Sequence, residues 1–243
     1  MGSSGLVVRC RYLWESFVSR LGGAKMSNRR RILTAARAQV VEHGVGATTL
    51  VQVAERSGID LAAVRSEFQD RHHLLVAVHE EVARELNGAC LVAARSVPQE
   101  GFEPIVAGAM RLFEVYVADG PGRSVLHPIR QILTLREWNE TDRRFGVRSL
   151  LGGLRPLAEQ GVFRPEAIDG LAVIVYGLVT EACVSVADGL AVITPQELGH
   201  HVRAVLEAAA MSPGPGPHNG QRARASDNGS NGVGATTTSI ATT

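Results

Sequence analysis

An all-α fold is what this 243-residue sequence predicts, and three observations predict it. Apolar residues recur at helical spacing through the body of the chain, with no stretch that alternates as a half-buried strand does. The apolar content is 45% while aromatics supply only 5%, so the core must be built from Ala, Val, Leu and Ile; Ala and Leu are strong helix formers. Glycine and proline fall between the periodic segments, where they end helices. An apolar share of this size belongs to a chain with a packed core, and the length suits one large domain or two small ones.

The two ends stand apart. Residues 1–27 form an N-terminal extension in which Leu6, Cys10, Leu13, Trp14, Phe17, Val18 and Leu21 are spaced as an amphipathic helix. Met26 opens directly onto the first well-marked element, however, so sequence ahead of the natural start is the favoured reading. Residues 212–243 are rich in Pro, Gly, Ser, Asn and Thr, with almost nothing to bury, which is the composition of a disordered tail.

Between the ends, a first helix is expected over 29–43, with Ile32, Leu33, Ala36 and Val40 inward, stopped by Gly44. Thr48 and Thr49 offer hydroxyl caps for a second helix over 50–56. Ser57-Gly58 makes a sharp turn, Asp60 caps a third helix over 61–67, and Asp70 caps a long fourth helix reaching about Ser96. Pro98 and Gly101 punctuate. Further helices are expected at about 102–118, 123–136, 138–160, 165–188 and 195–210, bounded by Gly120-Pro121-Gly122, Gly161, Pro165, Gly189 and Pro195. No internal repeat is visible. The expected division is a first domain at 28–74 and a second at 75–211.

Residues 49–68 read TLVQVAERSGIDLAAVRSEF: a capped helix, a turn with Gly58, and a second capped helix, on a core of Val53, Ala54, Ile59, Val64 and Phe68. Ala54 is small enough for the helices to cross closely. Gly58 permits the left-handed backbone of a tight turn. Ile59 plugs the corner. This is helix-turn-helix logic, in which the second helix enters the DNA major groove. Such a corner alone is a weak signal; its flanks sharpen it. The stretch RRILTAARAQVVEHGVGATTLVQVAERSGIDLAAVRSEFQDRHHLLVAV resembles the N-terminal domain of TetR-family, AcrR-like regulators over about fifty residues. The matching positions are Ile32-Leu33, Ala35-Ala36, Gly44, Thr49, Val53-Ala54, Gly58-Ile59, Phe68 and Leu74-Leu75, in order and without a gap.

The resemblance implies a three-helix DNA-binding head, a C-terminal helical bundle for ligand binding and dimerisation, and a repressor that leaves its operator when a small-molecule effector binds. It assigns Thr48 and Thr49 to phosphate at the second helix's N-terminus, where the dipole favours anions. Asp60, Leu61, Ala62, Ala63 and Arg65 form the reading face, and Ser66 and Arg71 hold the backbone. Asp60 serves foremost as a cap, and Ser66 is equally readable as an idle surface hydroxyl. Three departures stand out, the first being Ala62-Ala63 where the family usually has Gly or a small polar pair. Arg65 occupies the family's usual Tyr position, and Arg71 its usual Lys; both substitutions are compatible with phosphate, and Arg65 also with a guanine edge. From Lys25 to Leu75 there are eight basic and five acidic residues, a local excess of +3 in a chain of net charge +1, which suits a nucleic-acid partner.

In the second domain, Phe102, Met110, Phe113, Tyr116, His127, Trp138 and Tyr176 are the candidate pocket, by analogy with the family's cavity and from their mix of apolar walls and polar tips; for each, ordinary core packing is the competing role. Glu181, in an apolar stretch, could meet a cationic ligand or an interface hydrogen bond. Ile168, Leu171, Val175, Leu178, Ala182, Val186, Leu198, Val202, Val205 and Leu206 make broad apolar stripes on the last two helices. The resemblance reads them as a homodimer interface, with burial inside the monomer as the alternative.

Other function classes find little support. There is no phosphate-binding Gly-rich loop and no nucleophile elbow, so no enzyme is expected. Cys10, Cys90 and Cys183 share no metal-ligand spacing, and His72, His73 and His79 do not make a metal site by themselves. No metal or cofactor is expected. No apolar run approaches the ~20 residues of a membrane span, and Arg9, Arg11, Glu15 and Arg20 spoil the N-terminal stretch as a signal peptide. A cytoplasmic protein without a membrane partner is therefore expected. The reading kept beside the repressor is a helical ligand-binding or protein-interaction module whose DNA-binding head is vestigial.

Overall fold

The first helix, α1 (Asn28–His43), opens on Ser27, whose hydroxyl accepts the Arg30 N–H at 3.3 Å, and it buries Ile32, Leu33, Ala36 and Val40 as its spacing requires. The structure, a computed structural model, describes residues 27–118 and 120–211; the expectations placed on the N-terminal extension and the C-terminal tail lie outside the described residues. Gly44 ends α1 at φ +80°, a conformation that costs glycine little. A short loop leads to α2 (Leu50–Ser57) and then to α3 (Leu61–Glu67).

The corner between α2 and α3 is locked by backbone hydrogen bonds. Gly58 sits in the left-handed region at φ +62° and its N–H donates to Ala54 O and Glu55 O. The Ile59 N–H also donates to Ala54 O, at 3.2 Å. This pairing satisfies the last carbonyls of α2 in the Schellman arrangement. Asp60 then caps α3 by accepting the Ala62 N–H at 2.8 Å. Val53, Val64 and Phe68 meet Ile32, Ala36, Leu74 and Leu75 in the core.

The long helix α4 (Arg71–Arg95) starts at Asp70, which accepts the His73 N–H at 2.9 Å. Its buried positions run from Leu74, Leu75, Ala77 and Val78 onward to Val82 and Leu86. The expected domain division at residue 74 falls inside α4, and one hydrophobic cluster continues across it to Ile105, Val106, Ala109 and Phe113 of α5 (Glu103–Val117).

The expected helix over 123–136 is instead broken. A π-helical segment, Gly122–Leu126, leads into the single turn α6 (His127–Arg130), and the chain restarts at α7 (Leu135–Asp142). The restart has a local cause. Thr134 and Glu137 form a reciprocal capping box that fixes a new N-terminus. A second π-helical segment, Arg143–Val147, joins α7 to α8 (Arg148–Glu159), so the expected element over 138–160 is continuous but bulged. A 3-10 turn at Pro165–Ala167 opens α9 (Ile168–Ala187), and α10 (Pro195–Met211) begins at another capping box, between Thr194 and Glu197. No strand occurs among the described residues.

One sequence expectation needs correcting. Pro165–Ala187 spans 23 residues and holds an 18-residue window of mean hydropathy 1.9, so by length and composition alone it is apolar enough to cross a membrane. Its three acidic residues, Glu166, Asp169 and Glu181, hide the run from a search for uninterrupted apolar sequence. In the structure α9 packs against α5, α8 and α10.

Two glycine substitutions test this account with opposite signs. Gly58→Ala puts a side chain on a left-handed residue and should cost about 1 kcal/mol. Gly88→Ala lies mid-helix on α4 with nothing within 4 Å of the added Cβ, and should stabilise by about 0.5–1 kcal/mol. Urea denaturation of both variants against the parent chain checks the pair.

Candidate nucleic-acid interface and ligand cavity

Of the expected contact residues, Thr49 at the start of α2, the cap Asp60, and Ala62, Arg65 and Ser66 on α3 are exposed. Leu61 and Ala63 are half-buried and pack against the core, so only part of the expected reading face points outward. Ser66 donates its hydroxyl back to Ala63 O at 2.8 Å. The two threonines separate. Thr49 is exposed and forms a capping box with Gln52. Thr48 is fully buried, with its hydroxyl donated to Gly44 O at 3.0 Å. The expectation that the Thr48 hydroxyl faces phosphate is therefore corrected, because that side chain closes the α1–α2 loop.

Most arginines of the head serve as braces. Arg71 donates its Nε–H to Thr48 O at 2.7 Å and a terminal N–H to Val45 O. It thus ties α4 to the α1–α2 loop, a use the expected backbone-holding role did not include. Arg31 donates to Ser57 O at 2.8 Å. Arg56 forms a two-pronged pair with Glu42. Arg29 stands over the Phe68 ring at 4.6 Å. The side chains of Arg30 and Arg65 make no ion pair or hydrogen bond with another described residue, and both are exposed. Arg65 is the cation that α3 offers to an external anion.

The second half holds two adjoining cavities, of about 60 Å³ and about 420 Å³, which share Asn87, Cys90, Leu112, Gly146 and Tyr176. Of the seven expected pocket residues, Tyr116, Trp138 and Tyr176 line the smaller one, and Tyr176 also lines the larger. The other four are placed elsewhere. Phe102 stacks on Phe163 with centroids 5.7 Å apart. Met110 packs against Gly199 of α10. Phe113 is fully buried in the core. His127 lies edge-on to Tyr116 and 3.1 Å from the Asp188 carboxylate.

Sequence reasoning missed the polar members of the small cavity, Asp142 and His79. Asp142 accepts the Tyr176 hydroxyl at 2.9 Å, and burial raises its carboxyl to about 6. The His79 ring lies 4.8 Å from Trp138, and burial lowers it to about 4. Its Nδ1 and the Tyr116 hydroxyl have no hydrogen-bond partner. Gly146, in the second π-helical segment, makes the Tyr176–Asp142 contact possible, since a Cβ there would fall 1.9 Å from the Tyr176 ring. Burial pushes Cys90 up to about 11 and Cys183 to about 12, so both thiols stay protonated and unreactive. Among the described residues no three His, Cys, Asp or Glu side chains group as a metal site.

The expected dimer stripe divides. Leu171, Val175, Ala182, Leu198, Val202 and Leu206 are buried within the chain, and Ile168, Leu178, Val186 and Val205 are half-buried against the same core. The stripe chosen for its apolarity is thus largely the inward face. Outward on α9 stand Val173 and Ile174, 47% and 60% exposed, with Gly170 and Gly177 on the same side. Glu181 is exposed and accepts the Ser185 hydroxyl at 3.1 Å, away from the cavity lining.

The opposed shifts of His79 and Asp142 give a pH test. As pH falls from 6.5 to 4, the unfolded chain protonates His79 before the folded chain does, and stability is lost. Across nearly the same window folded Asp142 takes its proton first, and stability is gained. Each shift is worth roughly 3 kcal/mol, so they largely offset. Asp142→Asn should therefore lose melting temperature more steeply than the parent chain between pH 6.5 and pH 4, and His79→Gln less steeply. Identical pH profiles for all three proteins would contradict these assignments.

Comparison with known proteins points in one direction. No family model matches the chain. BetI, an HTH-type transcriptional regulator, is 24% identical over 177 residues, spanning 67% of this chain and 86% of BetI, in both Escherichia coli strain HS and Shigella flexneri serotype 5b. The fatty acid degradation regulator FadR of Bacillus halodurans aligns at TM-score 0.58 and 16% identity, over 76% of this chain and 96% of FadR. A TetR-family regulator of Pectobacterium atrosepticum aligns at TM-score 0.56 and 20% identity, over 74% of this chain and 89% of that one. A protein of unknown function from Rhodococcus sp. RHA1 aligns at TM-score 0.62 and 18% identity, over 78% and 99%. With its capped helix-turn-helix joined through α4 to a helical second half, this chain has the fold of the TetR-family transcriptional regulators.

Proposed function

We propose that this chain is a DNA-binding transcriptional regulator of the TetR type: a cytoplasmic homodimer that represses by occupying an operator and leaves it when a small molecule enters the α4–α9 cavity. The observation that carries the reading is the exposed face of α3. A helix fixed by a Schellman turn and an Asp cap presents Ala62, Arg65 and Ser66 outward, with Arg65 uncommitted. Small residues allow close approach to base edges, and Arg65 meets the phosphate that borders the groove. The exposed N-terminus of α2 at Thr49 supplies a second anion contact. The HTH-type designation of BetI supports the same reading.

The dimer forms through the outward faces of α9 and α10. Val173, Ile174, Gly170 and Gly177 leave an apolar, small-residue surface on a helix whose most apolar window is only 39% buried in the chain. A second copy would cover it, as burial favours. Two-fold symmetry then sets the reading helices about 34–36 Å apart or more, the spacing of successive major grooves. Ligand binding acts through α4, which lines the cavity with His79, Asn87 and Cys90 and carries the head at its other end. His72–Glu137 at 2.6 Å and Glu80–Arg144 at 2.9 Å tie α4 to α7 and its π-helical continuation. The ligand must prefer one spacing of the heads over the other to act as a switch.

Fluorescence anisotropy with the duplex upstream of the chain's own gene, against a scrambled duplex and across a salt series, tests the function. Specific binding at two chains per duplex is expected. Arg65→Ala should weaken it about tenfold and reduce the salt slope by about 0.9 without lowering the melting temperature. Arg71→Ala should weaken binding and also lower the melting temperature, because it releases two loop carbonyls. Indifference of operator binding to Arg65→Ala would sink the assigned interface. Light scattering tests the dimer separately: Ile174→Glu should convert a two-chain particle into single chains that keep their helical circular-dichroism signal.

A further inference from the structure

The two cavities read as one site with a polar end and an apolar end. Among the described residues Asp142 is the only carboxylate lining either chamber. It accepts hydrogen bonds from Tyr176, at 2.9 Å, and from the Trp138 side chain, and makes no ion pair with a described residue. The nearby Arg130 stands over the Trp138 ring at 4.9 Å instead of against the carboxylate. A buried carboxylate without a paired cation is costly to keep, and the chain keeps it with effort. The π-helical segment Arg143–Val147 and the side-chain-free Gly146 both serve to seat Tyr176 beside it. π-helical insertions of this kind cluster at functional sites.

Around Asp142 the small chamber presents the rings of Trp138, Tyr116 and Phe145 with His79. Aromatic faces attract cations. Two further polar atoms, Tyr116 Oη and His79 Nδ1, are buried and unpartnered. Burial keeps His79 neutral near pH 7, so this wall adds an acceptor and no competing positive charge. The acceptors thus number three: a carboxylate, a phenol oxygen and an imidazole nitrogen. The larger chamber, about 420 Å³, continues past Leu112 between Leu91, Ile105, Ala109, Leu150 and Val179. Its volume is that of an ordinary small-molecule site. Among the polar side chains lining it, Ser149 donates to Asn87 Oδ1 at 2.7 Å, and Arg95 and Gln99 are exposed at the chamber's edge.

We infer that this cavity binds a primary amine bearing an apolar tail, with the ammonium group hydrogen-bonded at Asp142, Tyr116 and His79 and the tail in the larger chamber. An ammonium group carries three donors, matching the three acceptors, and its charge neutralises Asp142. A carboxylate head would face Asp142 in the small chamber, or Arg95 only at the exposed edge. An alcohol would leave the buried charge uncompensated. The inference names the effector class for the regulatory reading above, yet it concerns binding alone and is tested without DNA.

Isothermal titration of the full chain at pH 7.5 with octylamine, 1-octanol and octanoate, which share one tail, tests it. Octylamine should bind one molecule per chain at least about tenfold tighter than octanol, and octanoate should not compete. Asp142→Asn should cost octylamine about tenfold or more while leaving octanol unchanged. Octanol or octanoate binding as tightly as the amine to the parent chain overturns the proposal, as does an unchanged octylamine affinity in a folded Asp142→Asn variant. The three-ligand comparison on the parent chain decides the matter even where that variant fails to fold. Octylamine that binds through Asp142 but leaves operator affinity untouched upholds the amine site and removes only its role as effector.

Discussion

The interaction on which the rest of this structure depends is the continuous burial of α4 in both halves of the chain. Its 25 residues reach about 37 Å at 1.5 Å per residue. Leu74, Leu75 and Val78 complete the core of the helix-turn-helix, and Val82 and Leu86 belong to the core built with α5. A short head of three helices has little interior of its own. It acquires one by borrowing the first turns of α4, and Arg71 fastens the same turns to the α1–α2 loop. The head is therefore oriented by a helix whose far end lines a cavity. Position, packing and any communication between the two halves follow from that sharing.

The second half departs from ideal helix geometry where it is most polar. Side-chain caps at Ser27, Thr49, Asp60 and Asp70, a Schellman turn and helical spacing govern the head, and local preference there agrees with the global fold, as expected of a well-determined element. Around the cavity the chain instead uses two π-helical segments, a glycine pressed against a ring, and a carboxylate and a histidine whose burial shifts them in opposite senses. A purely stabilising core would have replaced Asp142 and His79 with apolar residues of similar size. Keeping them, with two unpartnered polar atoms nearby, has a physical rationale in a ligand that pairs with them.

The head was legible in the sequence because its devices are local. Gly58, Asp60 and Asp70 do what their residue types do at such positions. The adjacent hydroxyls Thr48 and Thr49 were not separated, although a signal existed. Counting three residues on from Thr49 reaches Gln52, which completes a capping box, whereas three on from Thr48 reaches Val51, which cannot. Thr134 and Glu137 offered the same signal for the start of α7, and it was read through as helix interior. The pocket was half legible. Rings attract attention, and three of the seven nominated line the small cavity. Asp142 lies in the run Glu140-Thr141-Asp142-Arg143-Arg144, which reads as a solvated face. It turns inward because it lies four residues after Trp138 on the regular helix α7, beside buried Thr141 and ahead of the π-helical segment; the charges on either side of it mask that face in the sequence. The α9 stripe failed for another reason. A helix apolar nearly all round has no preferred direction in sequence, so its inward and outward faces separate only when its neighbours are placed.

The contacts between α4 and α7 make the two halves of the function mechanically adjacent. His72 and His79 lie seven residues apart on α4 and so share a face. His72 pairs with Glu137 at 2.6 Å, and His79 packs on Trp138, the next residue along α7. One pair of helices thus carries both a hydrogen-bonded bridge at the edge of the helix-turn-helix head and a ring contact that walls the small cavity. A group entering between His79 and Trp138 must alter the spacing of α4 and α7 or reorient one ring. The first change bears directly on the His72–Glu137 bridge and on the Glu80–Arg144 pair beside it. That bridge is short and partly exposed, so by itself it contributes little stability. Its position matters more than its strength, because His72 directly follows Arg71, where α4 grips the loop leading to Thr49 and α2. Coupling across this structure accordingly needs no long pathway: the cavity wall at His79, the interhelical bridge at His72 and the brace at Arg71 lie within the first nine residues of the same helix.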